Sequence, residues 1–290
     1  MQLGVVFPQT EIGGDAGAVR AYVQGVEGLG YRHLLAYDHV LGADPAVHTP
    51  WRGPYDIDTT FHEPFVLFGF IAGATSLEVV TGIIILPQRQ TALVAKQAAE
   101  VDILTGGRSR LGVGLGWNTV EYEALGMAFG TRARRLEEQV ALLRRLWTER
   151  SVTFDGDFDR VTAAGLAPLP VQRPIPVWIG AFAPAACRRA GRLADGWFPM
   201  AAPGPRLDAA IEAVHEGAIE AGRDPASIGM EAQLQWRGDA DELAGWAERW
   251  HALGATHVGV NTMGAGLGGV DGHLRALGAA AEALAPLAVK

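Results

Sequence analysis

The chain has 290 residues, of which 49% are hydrophobic and 19% charged, and its formal net charge is −8. This apolar content is too high for a disordered protein, and the acidic balance argues against bulk binding to nucleic acid or to an anionic membrane. The single cysteine, Cys187, excludes an intramolecular disulfide and a cysteine-based metal cluster, and it favours a reducing compartment.

The N-terminal residues lack the basic segment and the long apolar run of a signal peptide. Apolar runs such as 83–86 are far shorter than the ~20 residues that a membrane-spanning helix needs. We therefore expect a soluble, cytoplasmic protein.

Short β-rich segments alternate with helical segments along the chain. Strands are predicted at 3–7, 33–37, 79–86, 110–115, 176–180, 196–199, 229–234 and 257–260. Helices are predicted at 16–29, 65–74, 91–104, 132–150, 184–194, 207–221, 240–251 and 272–284. Two segments interrupt the alternation: a long loop after the second strand, and an insertion at 151–176, before the fifth strand, with a possible short hairpin.

Eight strands that are each followed by a helix predict an α/β fold, a single-domain (β/α)8 TIM barrel over residues 1–290. A doubly wound sheet is the alternative. Its glycine fingerprint is absent from the first βα turn, where the sequence reads Val-Phe-Pro-Gln at 6–9.

The active site of a TIM barrel lies at the C-terminal ends of its strands, so the residues that follow each strand are the candidates. Asp38 and His39 follow the second strand and open the long loop. A histidine there can donate or accept a proton near neutral pH, and Asp38 can orient it, contact a cofactor or cap the loop. We expect an apolar substrate wall that consists of Trp51, Tyr55, Phe61, Trp117 and Phe182.

Glycines follow or end several strands. The alternating glycines at 112, 114 and 116 carry no side chains, so they predict an empty wall at the end of the fourth strand, with space for a planar or phosphorylated group. Gly180 and Ala181 precede a helix whose exposed N–H groups suit a phosphate, and the glycines at 264–269 form a second anion loop or a flexible connector. No metal site is predicted, because no histidine pair or carboxylate cluster has ligand spacing.

Three segments carry a resemblance to a known family: LLAYDH at 34–39, VTGIIILP at 80–87 and GGRSRLGVGLGW at 106–117. With these motifs the chain resembles the luciferase-like monooxygenase superfamily, in particular its actinobacterial branch of oxidoreductases that depend on the deazaflavin coenzyme F420. The segments at 174–181 and 194–197 match as well, and the resemblance extends over nearly the whole chain.

The resemblance implies a TIM barrel with a cis peptide bond, by position Gly82–Ile83, behind the flavin-type ring. It implies that His39 is the catalytic histidine beside the reactive ring carbon. The other positions that match cofactor-lining residues of the family are Asp38, Gly82, Ile83, Gly116, Trp117, Gly180 and Ala181. Relatives often pair, so a homodimer is also expected.

Departures from the family pattern bear on the cofactor and the substrate. Leu115 matches the arginine that holds the FMN phosphate in bacterial luciferases, which favours F420 over FMN. Trp117 matches the acid glutamate of the sugar-phosphate dehydrogenase of the F420 branch, and Ala43 matches its active-site tryptophan. The sequence therefore argues against that dehydrogenase.

The sequence leaves three functions open. The first is an F420-dependent oxidoreductase that transfers a hydride to or from an unidentified small, fairly hydrophobic substrate, with His39 handling the proton. The second is an FMN-dependent monooxygenase that receives reduced flavin from a separate reductase. The third is a flavin-binding protein without turnover, since function does not follow from fold.

Overall fold

The computed structural model describes residues 1–12 and 14–289. The strands are β1 (Gln2–Val6), β2 (His33–Ala36), β3 (Glu78–Thr81), β4 (Ile84–Ile85), β5 (Ser109–Gly114), β6 (Val152–Asp155), β7 (Arg160–Ala164), β8 (Val177–Ala181), β9 (Gly196–Pro199), β10 (Gly229–Gln235) and β11 (His257–Asn261). The helices are α1 (Gln9–Ile12), α2 (Ala16–Gly28), α3 (Pro64–Ala72), α4 (Thr91–Thr105), α5 (Thr119–Ala124), α6 (Arg132–Thr148), α7 (Pro184–Leu193), α8 (Pro205–Glu220), α9 (Ala240–Ala252) and α10 (Val270–Leu284).

Parallel pairing closes one sheet into a barrel. Its order is β3-β2-β1-β11-β10-β9-β8-β5-β4, and an additional pairing of β3 with β5 joins the two ends. Because β3 and β4 are two parts of one barrel strand, the barrel has eight strands, which confirms the predicted TIM barrel. The strands β1, β2 and β5 are buried at nearly every position, as expected of a sheet whose outer face is covered by helices.

The third barrel strand differs from the prediction. A single strand was predicted at 79–86, but the chain forms β3, leaves the ladder at Gly82 and Ile83, and resumes as β4. Val80 pairs with Arg110 and Ile84 pairs with Val113. Between these two pairs the third strand contains one more residue than β5, and the extra residue forms a bulge. The peptide bond between Gly82 and Ile83 is cis, as the resemblance implied.

The helices begin and end where local chemistry dictates. Asp15 caps α2, because its side chain accepts a hydrogen bond from the Gly17 N–H. Gly106 ends α4 with a left-handed φ of +67°, a conformation that costs glycine little. None of the described helices is long and apolar enough to cross a membrane.

Both predicted interruptions are present. The insertion contains an antiparallel hairpin of β6 and β7, which confirms the predicted hairpin. The residues between β2 and α3, numbered 37–63, contain neither helix nor strand and lie at the C-terminal end of the barrel. We call residues 38–63 the strand-2 loop.

The core has two parts. The larger part lies between the barrel and the helices. The smaller part fills the barrel interior with Val6, Leu35, Val80, Trp178 and Phe198. The interior is therefore packed rather than hollow, as is usual for this fold.

A buried ionic cluster lies in the N-terminal half of the barrel interior. Glu231 contacts His33 Nε2 at 2.8 Å and accepts from Arg110 Nη1 at 2.8 Å, and Arg110 Nε donates to Glu78 at 2.8 Å. The guanidinium of Arg110 also stacks over Trp178 at 4.4 Å. Burial by itself would raise the pKa of Glu231, but His33 and Arg110 outweigh it and lower that pKa to about 2.

Candidate active site

His39 lies in an aromatic cluster at the C-terminal mouth of the barrel. Its ring centroid is 4.7 Å from that of Phe61, 5.1 Å from Tyr55 and 5.7 Å from Trp117, and Trp51 packs on Trp117 at 5.7 Å. Four of the five predicted wall residues therefore come together at His39. We call these four residues the aromatic wall.

Phe182, the fifth predicted wall residue, is 68% exposed and makes no aromatic contact within the described residues. It follows β8 directly and precedes α7. The structure therefore does not bring Phe182 to His39.

Glu121 holds one nitrogen of the histidine. Its two carboxylate oxygens each lie 3.3 Å from His39 Nδ1. The same carboxylate accepts hydrogen bonds from the backbone N–H groups of Val40 at 2.7 Å and Leu41 at 3.2 Å. Burial would raise the pKa of Glu121, but the hydrogen bond and charge of His39 and the two backbone donors outweigh it, so the net pKa is lowered.

Asp38 makes a different pair from the one that sequence reasoning considered. Both of its carboxylate oxygens accept from Arg89 Nη2 at 2.9 Å, and the carboxylate is almost completely buried. Arg89 Nη1 reaches Glu63 at 3.2 Å. Burial raises the pKa of Asp38, and Arg89 offsets only part of that effect. Asp38 therefore does not orient His39; with Glu63 and Arg89 it ties the two ends of the strand-2 loop together.

The alternating glycines do not leave an empty wall, which corrects the sequence interpretation. A side chain at Gly114 would collide with the side chain of Ile83, and one at Gly116 would meet Ile85 Cγ2 at 2.8 Å. The side chain of Ile83 also lies beside Gly180, where a Cβ would be 3.5 Å from Ile83 Cγ2. The glycines thus let the bulged third strand approach β5 and β8, because they present no Cβ of their own.

Five of the eight predicted site residues fall into two groups. His39 and Trp117 belong to the aromatic cluster, while Ile83, Gly116 and Gly180 pack around the bulged strand. The remaining predicted cofactor contacts are Asp38, paired with Arg89, Gly82, within the bulge, and Ala181, which is buried at the end of β8.

A chain of polar side chains lies across the mouth and links Tyr37, directly after β2, to residues of β10 and β11. The hydroxyl of Tyr37 donates to Gln233 Oε1 at 2.7 Å, and Asn261 Nδ2 donates to the same hydroxyl at 3.5 Å. Burial raises the pKa of Tyr37, so this hydroxyl keeps its proton at neutral pH. Sequence reasoning missed Gln233, which lies inside the strand predicted at 229–234, and Asn261, although Asn261 directly follows the strand predicted at 257–260.

Two cavities meet at His39. One, of about 390 Å³, is lined by His39, Tyr55, Phe61 and Asn118 among others. The other, of about 540 Å³, is lined by His39, Asp38, Glu63, Gln88 and Arg89 among others. Both volumes lie within the usual range for small-molecule pockets.

Glu121 is the main residue of the site that sequence reasoning missed. The only local signal is Asn118, three residues earlier, which makes a capping-box pattern. Asn118 does cap α5 by accepting from the Val120 N–H, but Glu121 reaches across to the strand-2 loop instead. Within residues 1–12 and 14–289, no three histidine, cysteine or acidic side chains form a metal-binding group.

Comparison with known proteins identifies relatives of this chain. An uncharacterized protein of Mycobacterium bovis is 38% identical over 164 residues, which cover 56% of either chain. The F420-dependent glucose-6-phosphate dehydrogenase of Nakamurella multipartita is 32% identical over 231 residues, which cover 76% of this chain and 62% of that enzyme. The chain thus spans less than two thirds of the length of both relatives.

The fold has close counterparts among solved structures. An F420-dependent secondary alcohol dehydrogenase, solved in complex with an F420–acetone adduct, superposes with a TM-score of 0.77 at 21% identity over 96% of this chain and 98% of that one. At this identity the likeness shows the fold alone. The model of the family described as luciferase-like monooxygenase matches residues 1–286, and the chain therefore belongs to that family.

Proposed function

We propose that this protein is an F420-dependent oxidoreductase that transfers a hydride to or from a small organic substrate. The observation that carries the proposal is His39, whose Nδ1 faces a buried carboxylate while its ring borders two cavities at the mouth of the barrel. A histidine held in this way is suited to general acid–base catalysis. The F420 dependence of the Nakamurella relative supports the choice of cofactor.

The mouth offers features that fit a flavin-type cofactor. The side chain of Ile83 and the aromatic wall give apolar surfaces for a planar ring, and the cavities at His39 have pocket-like volumes. We propose that the cofactor contacts the residues that the family resemblance implies, namely Asp38, His39, Gly82, Ile83, Gly116, Trp117, Gly180 and Ala181. Leu115 packs against the core, so this position supplies no cation for an FMN phosphate.

A bound deazaflavin supplies hydride chemistry and reacts poorly with oxygen. His39 takes up the proton when a substrate loses a hydride from carbon and a proton from its hydroxyl or amine. In the reverse direction His39 gives the proton back to the oxygen or nitrogen. The aromatic wall excludes water from this proton and orients an apolar substrate against it.

The substrate that we propose is neutral and fairly hydrophobic rather than a sugar phosphate. Trp117 lies against His39, and Ala43 is buried, so two positions that the sugar-phosphate dehydrogenase fills with a glutamate and a tryptophan carry other residues here. A homodimer and a cytoplasmic location stay predictions, and light scattering of the purified protein would test the first.

The second candidate is an FMN-dependent monooxygenase, which the description of the matched family favours. It differs in one measurable property, because reduced FMN supports oxygen consumption and the reduced deazaflavin does not. Addition of a flavin reductase with FMN should then produce substrate-dependent oxygen uptake.

Parallel titrations of the purified protein with F420 and with FMN test the proposal. Cofactor fluorescence and quenching of the tryptophan emission report binding. We expect F420 to bind with a micromolar or lower Kd, and FMN at least tenfold more weakly, a gap of about 1.4 kcal/mol. A preference for FMN would support the monooxygenase, whereas tight binding without hydride exchange against any donor would indicate a flavin-binding protein.

A further inference from the structure

Glu121 makes three contacts that converge on the start of the strand-2 loop. One oxygen accepts the N–H groups of Val40 and Leu41, and both oxygens lie 3.3 Å from His39 Nδ1. The side chain of Glu121 is 1% exposed and that of His39 is 12% exposed. This carboxylate is therefore largely shielded from water, and its neighbours are the loop and the histidine.

These contacts decide which nitrogen of His39 carries a proton. An ionised carboxylate can only accept hydrogen bonds, and the lowered pKa of Glu121 keeps it ionised at neutral pH. A hydrogen bond to Nδ1 therefore requires a proton on Nδ1. In the neutral ring Nε2 is then the basic atom, and no group among the described residues hydrogen-bonds it.

We propose that Glu121 is the positioning residue of this site, which fixes the Nδ1–H tautomer of His39 and makes Nε2 the atom that gains and loses the catalytic proton. The inference rests on the proposed role of His39 in proton transfer. Glu121 itself touches neither substrate nor cofactor; it acts through the histidine. Because it also binds the amides of Val40 and Leu41, it sets the ring orientation and the path of the loop together.

Nitrogen-15 NMR of the histidine-labelled protein tests this inference without cofactor or turnover. The His39→Asn variant identifies the His39 signals. In the unmodified protein at a pH where the ring is neutral, Nδ1 should show the shift of a protonated nitrogen and Nε2 that of an unprotonated one. An Nε2–H tautomer of His39 would overturn the proposal.

The Glu121→Gln variant provides a second test, in which the charge of the carboxylate is removed. A glutamine oxygen still accepts the two backbone N–H groups, so the loop keeps its support, but the charge that selects Nδ1–H is lost. We expect a mixture of tautomers, a fall in kcat of about tenfold or more, and a Kd for F420 within about twofold of the original. Glu123→Gln, an exposed change two residues along the chain, is the matched control and should alter neither measurement.

The two tests separate the possible failures. Suppose that His39 is the Nδ1–H tautomer in the unmodified protein and that Glu121→Gln changes it, but that the unmodified protein neither binds F420 nor turns it over. The proposed function is then wrong, whereas the proposed position of the proton on His39 is supported. If Glu121→Gln leaves both the tautomer and kcat unchanged, Glu121 does not position His39.

Discussion

The two ends of the barrel each hold a buried pair of histidine and glutamate, and the pairs differ in what surrounds them. At the N-terminal end, His33 Nε2 faces Glu231 at 2.8 Å, and both side chains are fully buried inside the barrel. At the C-terminal end, His39 faces Glu121 at 3.3 Å, and its ring borders two cavities. The same two residue types therefore stabilise the fold where they are sealed, and can exchange a proton with a ligand where one nitrogen is open.

The largest expected effect comes from breaking the sealed pair. Glu231→Gln leaves the buried charge of Arg110 poorly compensated and should lower the free energy of unfolding by about 3–5 kcal/mol. Urea denaturation at neutral pH measures the change. Glu216→Gln, which breaks an exposed pair with Arg188, is the control and should cost about 1 kcal/mol or less. Equal losses in the two variants would mean that the barrel cluster contributes little.

Breaking the open pair should act on the reaction rather than on the fold. His39→Asn removes the proton donor and acceptor and should lower kcat by about 100-fold, or roughly 2.7 kcal/mol, with F420 still bound. The urea midpoint should move little, because Val40 and Leu41 still donate to Glu121. Turnover that survives in this variant would remove His39 from the mechanism.

Acid should destabilise the folded protein through the buried cluster at the N-terminal end of the barrel. His257, the first residue of β11, packs on His33 with ring centroids 5.7 Å apart. Burial and the charge of Arg110 lower the pKa of His257 to about 3, and the pKa of Glu231 is lowered to about 2. Both groups bind protons more readily in the unfolded chain, so their contributions are complete above the unfolded pKa values of 6.5 and 4.5 and decline as the pH falls toward the folded values.

The slope of this decline is at most about 1.4 kcal/mol per pH unit for each group. Urea midpoints measured between pH 7 and pH 4 give the slope. His257→Gln should flatten the part between pH 6.5 and 4.5, where the folded and unfolded protein differ in protonation of His257. An unchanged slope in His257→Gln would assign the acid sensitivity to other groups.

The smallest effect is expected from the clamp on the strand-2 loop. Arg89→Met leaves the buried Asp38 without its partner, but Asp38 can take up a proton, so the cost should be about 1–2 kcal/mol. Trypsin cleavage after the exposed Arg52, inside the loop, should become faster, because Glu63 also loses its contact with Arg89. Arg134→Met, which breaks an exposed pair with Asp157, should leave the cleavage rate unchanged.

Much of the architecture could be read from the pattern of residues. Apolar strands and amphipathic helices alternate along the chain, and this alternation was sufficient to predict the barrel, the insertion with its hairpin, and the position of His39 at the functional end. The cis peptide bond followed from the resemblance and not from periodicity. The prediction of the third strand was wrong, because apolar composition does not reveal a bulge that only pairing with β5 defines.

The sequence by itself determined where seven of the eight barrel strands and the eight longer helices lie, because side-chain periodicity records the burial of each face. The short helices α1 and α5 were not predicted. The sequence also determined that a histidine follows the second strand. Only the tertiary structure decided what that histidine and the preceding Asp38 contact. Glu121 lies 82 positions after His39 in the chain, and Arg89 lies 51 positions after Asp38. Closure of the barrel brings such residues together, and the distances along the chain carry no local signal of it. For the same physical reason, the positions that a Cβ at Gly114 or Gly116 would take are occupied by side chains of the third barrel strand.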